Sequence, residues 1–381
     1  MGRRTRFVCI SDTHGYTPSE AGFKLPAGDV LIHAGDLSNN GTIGELLKTM
    51  DWICKADFEI KIIVGGNHDV SLDPTFYSEH GQSSPSQQLQ NSQRLLNLIK
   101  ESPSVVLLNH EPATIRLTRA NGPNTLFKVF GSPYSQFQGN WAFGYESGDA
   151  AALWSQIPFD TDIVITHTPP RSHCDQKPNG VSVGCDALRG ALSLIRPHLA
   201  VCGHVHEGRG YERVRWQGEL TNTITNPGIQ AHSDLVENVT RGILPPGGSK
   251  KQSLVDLTGK RGERLDNEGF SRPTPRQHDL LETIAMAPTS PASDSDSAVG
   301  GPEMASPQNS PSTHPSLGAG SLNPSIHFNH ALQTLRKETC IVNAAIVATS
   351  WPHQGGKRFN SPIVVDLELP VWRNNHADAN R

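Results

Sequence analysis

Five short apolar runs punctuate the chain, and all of them end alike. Phe7-Val8-Cys9-Ile10-Ser11 leads into Asp12-Thr13-His14, Val30-Leu31-Ile32-His33-Ala34 into Gly35-Asp36, and Ile62-Ile63-Val64 into Gly65-Gly66-Asn67-His68-Asp69. Further on, Ile163-Val164-Ile165-Thr166 leads into His167-Thr168-Pro169-Pro170, and Leu199-Ala200-Val201-Cys202 into Gly203-His204-Val205-His206. Runs of aliphatic and β-branched residues without polar alternation predict strands covered on both faces. Ile43, Leu46, Leu47, Met50 and Ile53 recur at three- and four-residue intervals, so Thr42–Ala56 reads as an amphipathic helix. Ala150–Ile157 and Asp186–Ile195 read as two more. Strand, helix, strand implies right-handed parallel crossovers, and ligands of such sheets sit beyond the carboxyl ends of the strands. Five strands ending in Asp, His and Asn would gather those groups at one rim.

The remaining pattern is less regular. Residues 80–93 are rich in Ser and Gln and read as a surface loop, followed by a short helix at Leu95–Ile99. Val105–Leu108, Ala113–Leu117 and Thr125–Phe130 read as adjoining strands of a mixed sheet, and Tyr211–Trp216 with Leu220–Thr225 as a hairpin. Trp141, Phe143 and Tyr145 read either as packing or as the lining of a cleft. From about residue 227 to 338 the chain turns to Ser, Pro, Gly, Asp and Gln, too polar to offset its ordering entropy by burial. The strand-like Thr339–Val347 and Pro362–Leu367 should then complete a sheet begun earlier. The expected organisation is one domain of residues 5–226 plus 339–372, a largely disordered low-complexity insertion at 227–338, and a disordered tail at 373–381.

Length and charge narrow the field. A chain of 381 residues can hold one large domain or two ordinary ones. Its formal net charge of -4 gives no electrostatic reason to expect nucleic acid or an anionic membrane. No run is long enough to span a bilayer, strand-like sequence by Phe7 leaves no room for a secretory apolar region, and Arg6 breaks a myristoylation pattern. The six scattered cysteines read as reduced, mostly buried thiols, which makes the cytoplasm the expected compartment.

The strand-end residues carry the chemistry. Asp12, His14, Asp36, Asn67, His167, His204 and His206 offer a mixed oxygen and nitrogen donor set, suited to borderline divalent ions rather than thiolate-seeking ones. Seven donors are too many for one tetrahedral ion. Two ions about 3.5–4 Å apart sharing a carboxylate resolve the count, and hydrolytic enzymes use that clamp for displacement at phosphorus.

As a set, these motifs resemble the calcineurin-like metallophosphoesterase family over residues 5–226 and again from 339. Ala27–Asp36, Ile165–Pro170 and Gly203–Gly210 carry a narrower resemblance to its brain-type, metallophosphoesterase domain-containing branch and the microbial and fungal relatives of that branch. The resemblance implies an α/β (α+β) fold, a four-layer αββα sandwich of two mixed β-sheets flanked by helices. It implies one ion on Asp12, His14 and His206, a second on Asn67, His167 and His204, and Asp36 bridging both. A metal-bridging hydroxide would be the nucleophile and His68 the general acid for the leaving alkoxide. Mn²⁺ is the first expectation for both ions, with Fe²⁺, Zn²⁺, Co²⁺ or Mg²⁺ as alternatives.

Departures from relatives bear on substrate. The family's protein phosphatases read Gly-Asp-x-x-Asp-Arg-Gly at the second motif; here Gly35-Asp36-Leu37-Ser38-Asn39-Asn40-Gly41 lacks the arginine that grips a phosphomonoester dianion. The tyrosine ligand that purple acid phosphatases place just beyond the bridging Asp is missing too. Small phosphodiesters such as cyclic nucleotides are therefore the expected substrates, with a phosphomonoesterase or protein phosphatase, or a metal-binding scaffold without catalysis, as alternatives. Some brain-type relatives carry glycine where His206 stands, so its presence fits a competent site. A protein partner could dock on the insertion. His33, His110, His173 and His198 read as packing or surface histidines, and Asp69 as a solvated loop carboxylate.

Overall fold

Residue alternation within each strand decides the layers. In β1 (Gly2–Ile10), Phe7 and Cys9 face one side and Val8 and Ile10 the other, and all four are fully buried. The structure, a computed structural model, describes residues 2–80, 84–137, 139–216, 237–245, 251–267, 336–350, 352–353 and 356–372. After β1 come β2 (Val30–Ala34), β3 (Ile60–Val64), β4 (Val105–Leu108), β5 (Glu111–Arg116), β6 (Leu126–Ser132), and the two-residue β7 (Ser135–Gln136) and β8 (Gly144–Tyr145). Then follow β9 (Ile163–Thr166), β10 (Leu199–Cys202), β11 (Gly210–Trp216), β12 (Glu237–Arg241), β13 (Ser253–Asp256), β14 (Glu338–Asn343) and β15 (Ile363–Pro370). The helices are α1 (Pro18–Ala21), α2 (Ile43–Lys55), α3 (Pro74–His80), α4 (Pro85–Lys100), α5 (Ala150–Trp154) and α6 (Asp186–Ile195).

Among the described residues thirteen strands form two mixed sheets, ordered β13-β15-β1-β2-β3-β4 and β12-β11-β14-β10-β9-β6-β5, and β7 pairs with β8 in a two-stranded ribbon. Phe7, Ile32 and Ile62 from the first sheet meet Val129, Ile165 and Val201 from the second in the core between them. Phe7 and Phe127 touch edge to face there, ring centroids 5.5 Å apart. The outer face of the first sheet (Val8, Leu31, Ile63) is covered by Leu46, Met50 and Ile53 of α2 and Leu95 and Ile99 of α4. The outer face of the second (Val164, Ala200, Ile341) is covered by α5 and α6 through Trp154, Leu188 and Leu192. This is the four-layer αββα sandwich. Burial on both faces is why the central strands read as unbroken apolar runs.

Several local expectations are corrected. Residues 85–93 are not loop but the first turns of α4, entered through Ser84 and Pro85. The expected adjoining strands part company: β4 pairs with β3 in the first sheet, while β5 and β6 pair in the second. The two late strands also divide, β14 joining β10 and β15 joining β1. β11 pairs antiparallel with β12 and with β14, and Leu220–Thr225, the expected hairpin partner, lies outside the described residues. Within the stretch read as an insertion, β12 and β13 are ordered strands, one in each sheet. Residues 227–236, 246–250 and 268–335 and the tail 373–381 lie outside the described residues. None of the six cysteines is disulfide-bonded, and only Cys54 is exposed. Among the described residues no helix is long and apolar enough to cross a membrane.

Candidate metal centre

All seven expected donors lie one to four residues beyond the carboxyl ends of β1, β2, β3, β9 and β10, and four of them take left-handed backbone. Asp12, His14, Asp36 and His204 have φ of 51°, 45°, 53° and 65°. That region is uncommon for side-chain-bearing residues, and such strain gathers at functional sites. Glycines allow the close approach. A Cβ at Gly203 would overlap the Asp12 carboxylate and the Ser11 hydroxyl, and one at Gly66 the Asp36 carboxylate.

The donors fall into two triads. In the first, His206 Nε2 lies 3.3 Å from Asp12 Oδ1 and 3.1 Å from His14 Nε2. In the second, Asn67 Oδ1 lies 2.9 Å from His167 Nε2 and 3.0 Å from His204 Nδ1. Asp36 stands between them, Oδ2 3.7 Å from His14 Nε2 and Oδ1 3.4 Å from His167 Nε2. Donor atoms about 2.1 Å from a common ion stand roughly 3.0–3.4 Å apart, so these separations suit a small divalent cation in each triad.

Backbone carbonyls fix the imidazoles. His167 Nδ1–H donates to Ala34 O at 3.0 Å and His206 Nδ1–H to Thr349 O at 3.1 Å, leaving each Nε2 turned into the centre. His68 donates Nδ1–H to Asn39 O at 2.6 Å, and a ring nitrogen of it lies within 4.8 Å of donor atoms of His14 and Asp36. Ser11 Oγ donates to Asp12 at 2.5 Å, and the His204 amide to both Asp12 oxygens at 3.0 and 3.1 Å.

Asp12 and Asp36 are buried, and among the described residues neither pairs with Lys or Arg. Burial works to raise the Asp12 carboxyl, but the bond and charge of His206 outweigh it and hold it at about 2. Burial likewise pushes His167 and His206 down, yet the carboxylates beside them lift both to about 9. Burial wins at His14 and His204, lowered to about 3 and 4. Two buried carboxylates balanced only by imidazoles form a donor set built for cations. The residues fit the two-ion expectation.

Asp69 needs correction. It is fully buried rather than solvated, and its carboxylate accepts from the amides of Leu37 (3.1 Å), Ser38 (2.8 Å) and Gly66 (2.9 Å) and from Ser38 Oγ (2.6 Å). It ties the Asp36 turn to the Asn67 turn. Burial, then the Asp36 charge, raises its pKa to about 6. His33 is buried and bonded to Thr13 Oγ1 at 2.9 Å, His173 and His198 are buried, and His110 is half-buried, so none of the four is a surface residue. Phe143 and Tyr145 join the cores, while Trp141 stays partly exposed in a cavity of about 210 Å³ over Asp36, Asn67, His68 and the two paired histidines.

One supporting residue went unread in the sequence. Asn343, fully buried at the end of β14, donates from Nδ2 to the carbonyls of Val205 (2.8 Å) and Cys174 (2.9 Å) and so holds the His204–His206 turn. Its signal was positional: β14 runs parallel to β10 with Asn343 beside Cys202, so this Asn also ends a strand at the same rim.

The family model for calcineurin-like phosphoesterases matches residues 5–208, which includes every donor. This chain belongs to the calcineurin-like phosphoesterase family. Among its similar proteins, one from Emericella nidulans named probable rhamnogalacturonate lyase C is 39% identical over 213 residues, 55% of this chain and 18% of that protein. Human metallophosphoesterase domain-containing protein 1 is 33% identical over 213 residues, 54% of this chain and 62% of that one. The Caenorhabditis elegans UPF0046 protein C25E10.12 is 31% identical over 259 residues, 65% of this chain and 84% of its own length. The chain thus spans less than two thirds of the first two relatives. As a calcineurin-like phosphoesterase it carries part of its machinery, including Asn343 and Thr349, beyond the matched residues.

Proposed function

We propose that this protein is a two-metal phosphodiesterase acting on small phosphodiesters, cyclic nucleotides among them. The observation that carries the reading is the pairing of two donor triads through Asp36 with the His68 ring beside them. Asp12, His14 and His206 would hold one divalent ion, Asn67, His167 and His204 the other, and Asp36 would serve both. Such ions, Mn²⁺ being the first to test, supply Lewis-acid polarisation of a phosphoryl oxygen and a nucleophile at neutral pH.

The chain's own groups do the rest. His68, steered by the Asn39 carbonyl, keeps its second nitrogen for the leaving oxygen and delivers a proton there. His167 and His206 keep their rings fixed through Ala34 and Thr349. Among the described residues no Lys or Arg lines the cavity over the donors. In the neighbouring depression beside His14, Lys48 is held by Glu20 and Lys357 by Tyr16. A monoester dianion would lack a guanidinium clamp here, whereas a singly charged diester has less charge to match.

The test is turnover by purified protein with Mn²⁺ of bis(p-nitrophenyl) phosphate, p-nitrophenyl phosphate, and 2′,3′- and 3′,5′-cyclic nucleotides. Diester hydrolysis should exceed that of the monoester. Faster turnover of the monoester than of every diester would reverse the substrate assignment, and no turnover of any would remove the enzymatic one.

A further inference from the structure

The ribbon formed by β7 and β8 borders the metal-site cavity, and the segment joining its strands puts Trp141 in a distinctive setting. Its neighbours Ala142 and Phe143 are buried in the core outside the first sheet. Trp141 joins none of the described apolar cores and stays partly exposed. Its indole lies instead against the His68 imidazole, ring centroids 4.1 Å apart and planes inclined at 33°. Phe137, at the other end of this segment, is 51% exposed, its ring seated over Gly144 where a Cβ would collide. Among the described residues the rest of the cavity wall away from the donors is uncharged, formed by Ser135, Gln136, Ala142, Gly144 and Ser350.

We propose that Trp141 is a stacking platform for a planar aromatic substituent of the phosphodiester, the chemistry of a nucleobase. The indole and the His68 imidazole line one cavity, so a ring stacked on the indole would share that cavity with the phosphate. Stacking on an aromatic side chain tolerates any base, because every base offers a π-face. The Ser and Gln groups around it can bond to the base edge. A wall without Lys or Arg suits an uncharged ring rather than a second phosphate. This inference rests on the phosphodiesterase reading and adds a class to it: base-bearing diesters preferred over aliphatic ones.

The discriminating pair is 2′,3′-cyclic AMP against glycerol 1,2-cyclic phosphate, the same five-membered cyclic diester without a base. The wild type should favour the nucleotide in kcat/KM. Trp141→Leu, which keeps bulk but removes the π-face, should lower that preference roughly 5- to 150-fold, chiefly through KM. Trp141→Phe should retain more of it. Equal losses on both substrates, carried by kcat, would mean that Trp141 only props His68 and would overturn the proposal, as would a wild type indifferent to the base. A wild type that hydrolyses neither diester sinks the phosphodiesterase reading instead. The platform is then judged by binding: adenosine 5′-monophosphate should bind at least roughly fivefold more tightly than glycerol 1-phosphate, with the margin lost in Trp141→Leu. Equal affinities in the wild type would overturn it.

Discussion

Replacing Asp69 by alanine should both loosen the fold and weaken the metal centre. The carboxylate accepts from three backbone amides, Leu37, Ser38 and Gly66, and from the Ser38 hydroxyl. The hydroxyl has an alternative acceptor in the His68 carbonyl at 3.3 Å, so it is not counted. Three buried amides deprived of an acceptor cost about 1–3 kcal/mol each. Water entering the space left by the side chain, and relief of the repulsion between Asp69 and Asp36, offset part of this. The net expectation is about 3 kcal/mol, or ~6–12 °C in Tm for a domain of this size. Asp69→Asn keeps the shape but turns a donor toward donors, so it should fall between the two. The same variants, titrated with Mn²⁺, should bind more weakly, because the Asp36 and Asn67 turns lose their tie. Thermal unfolding and calorimetric titration on one preparation test both halves. An alanine variant melting within about 2 °C of wild type with unaltered Mn²⁺ affinity would refute the reasoning.

Other outcomes follow from the same geometry. His68→Ala should retain Mn²⁺ yet lose roughly 10²–10⁴-fold in turnover of diesters with alkoxide leaving groups, and much less with p-nitrophenolate; equal losses on both would remove its acid role. Gly203→Ala should abolish Mn²⁺ binding while leaving the sheets intact by circular dichroism, since the added carbon overlaps Asp12. His173, which is not one of the donors, gives a pH signature of its own. Burial pushes it down, but its bonds to Glu212 (2.9 Å) and Glu237 (3.3 Å) prevail and hold its folded pKa above the ordinary ~6.5. Its stabilisation is therefore complete below about pH 6.5 and lost as pH rises through the folded value. The unfolding free energy of wild type over His173→Gln should shrink across that window; a gap independent of pH would contradict it.

The sequence made the rim legible because the central strands are buried on both faces and so stand out as unbroken apolar runs, with the donors one turn beyond. It hid α4 for an equally physical reason. That helix points Gln88, Ser92, Leu95 and Ile99 inward, a correct helical stripe in which the first two members are polar, Ser92 being bonded to the Ser71 carbonyl at 2.7 Å. Hydrophobic periodicity cannot register such a face. Which sheet receives β4, β14 or β15 is a long-range choice with no local marker. Asp69 was misread because a carboxylate beside a glycine-rich turn resembles a solvent-facing one until the turn is seen to fold around it. Asn343 was missed because one amide at a strand end carries meaning only once that strand is known to lie beside β10.

The first strand of the chain lies between β15 and β2, with Gly2 opposite Pro370 and Arg6 bonded to Asp366 across 360 positions of sequence. A ribosome extending at about 5–20 residues per second needs roughly 20–70 s to bring those partners together. Through that interval one edge of β1 offers its open amides and carbonyls to any extended peptide nearby. Newborn copies should therefore depend on holding chaperones, and crowded heterologous expression should divert them into inclusion bodies.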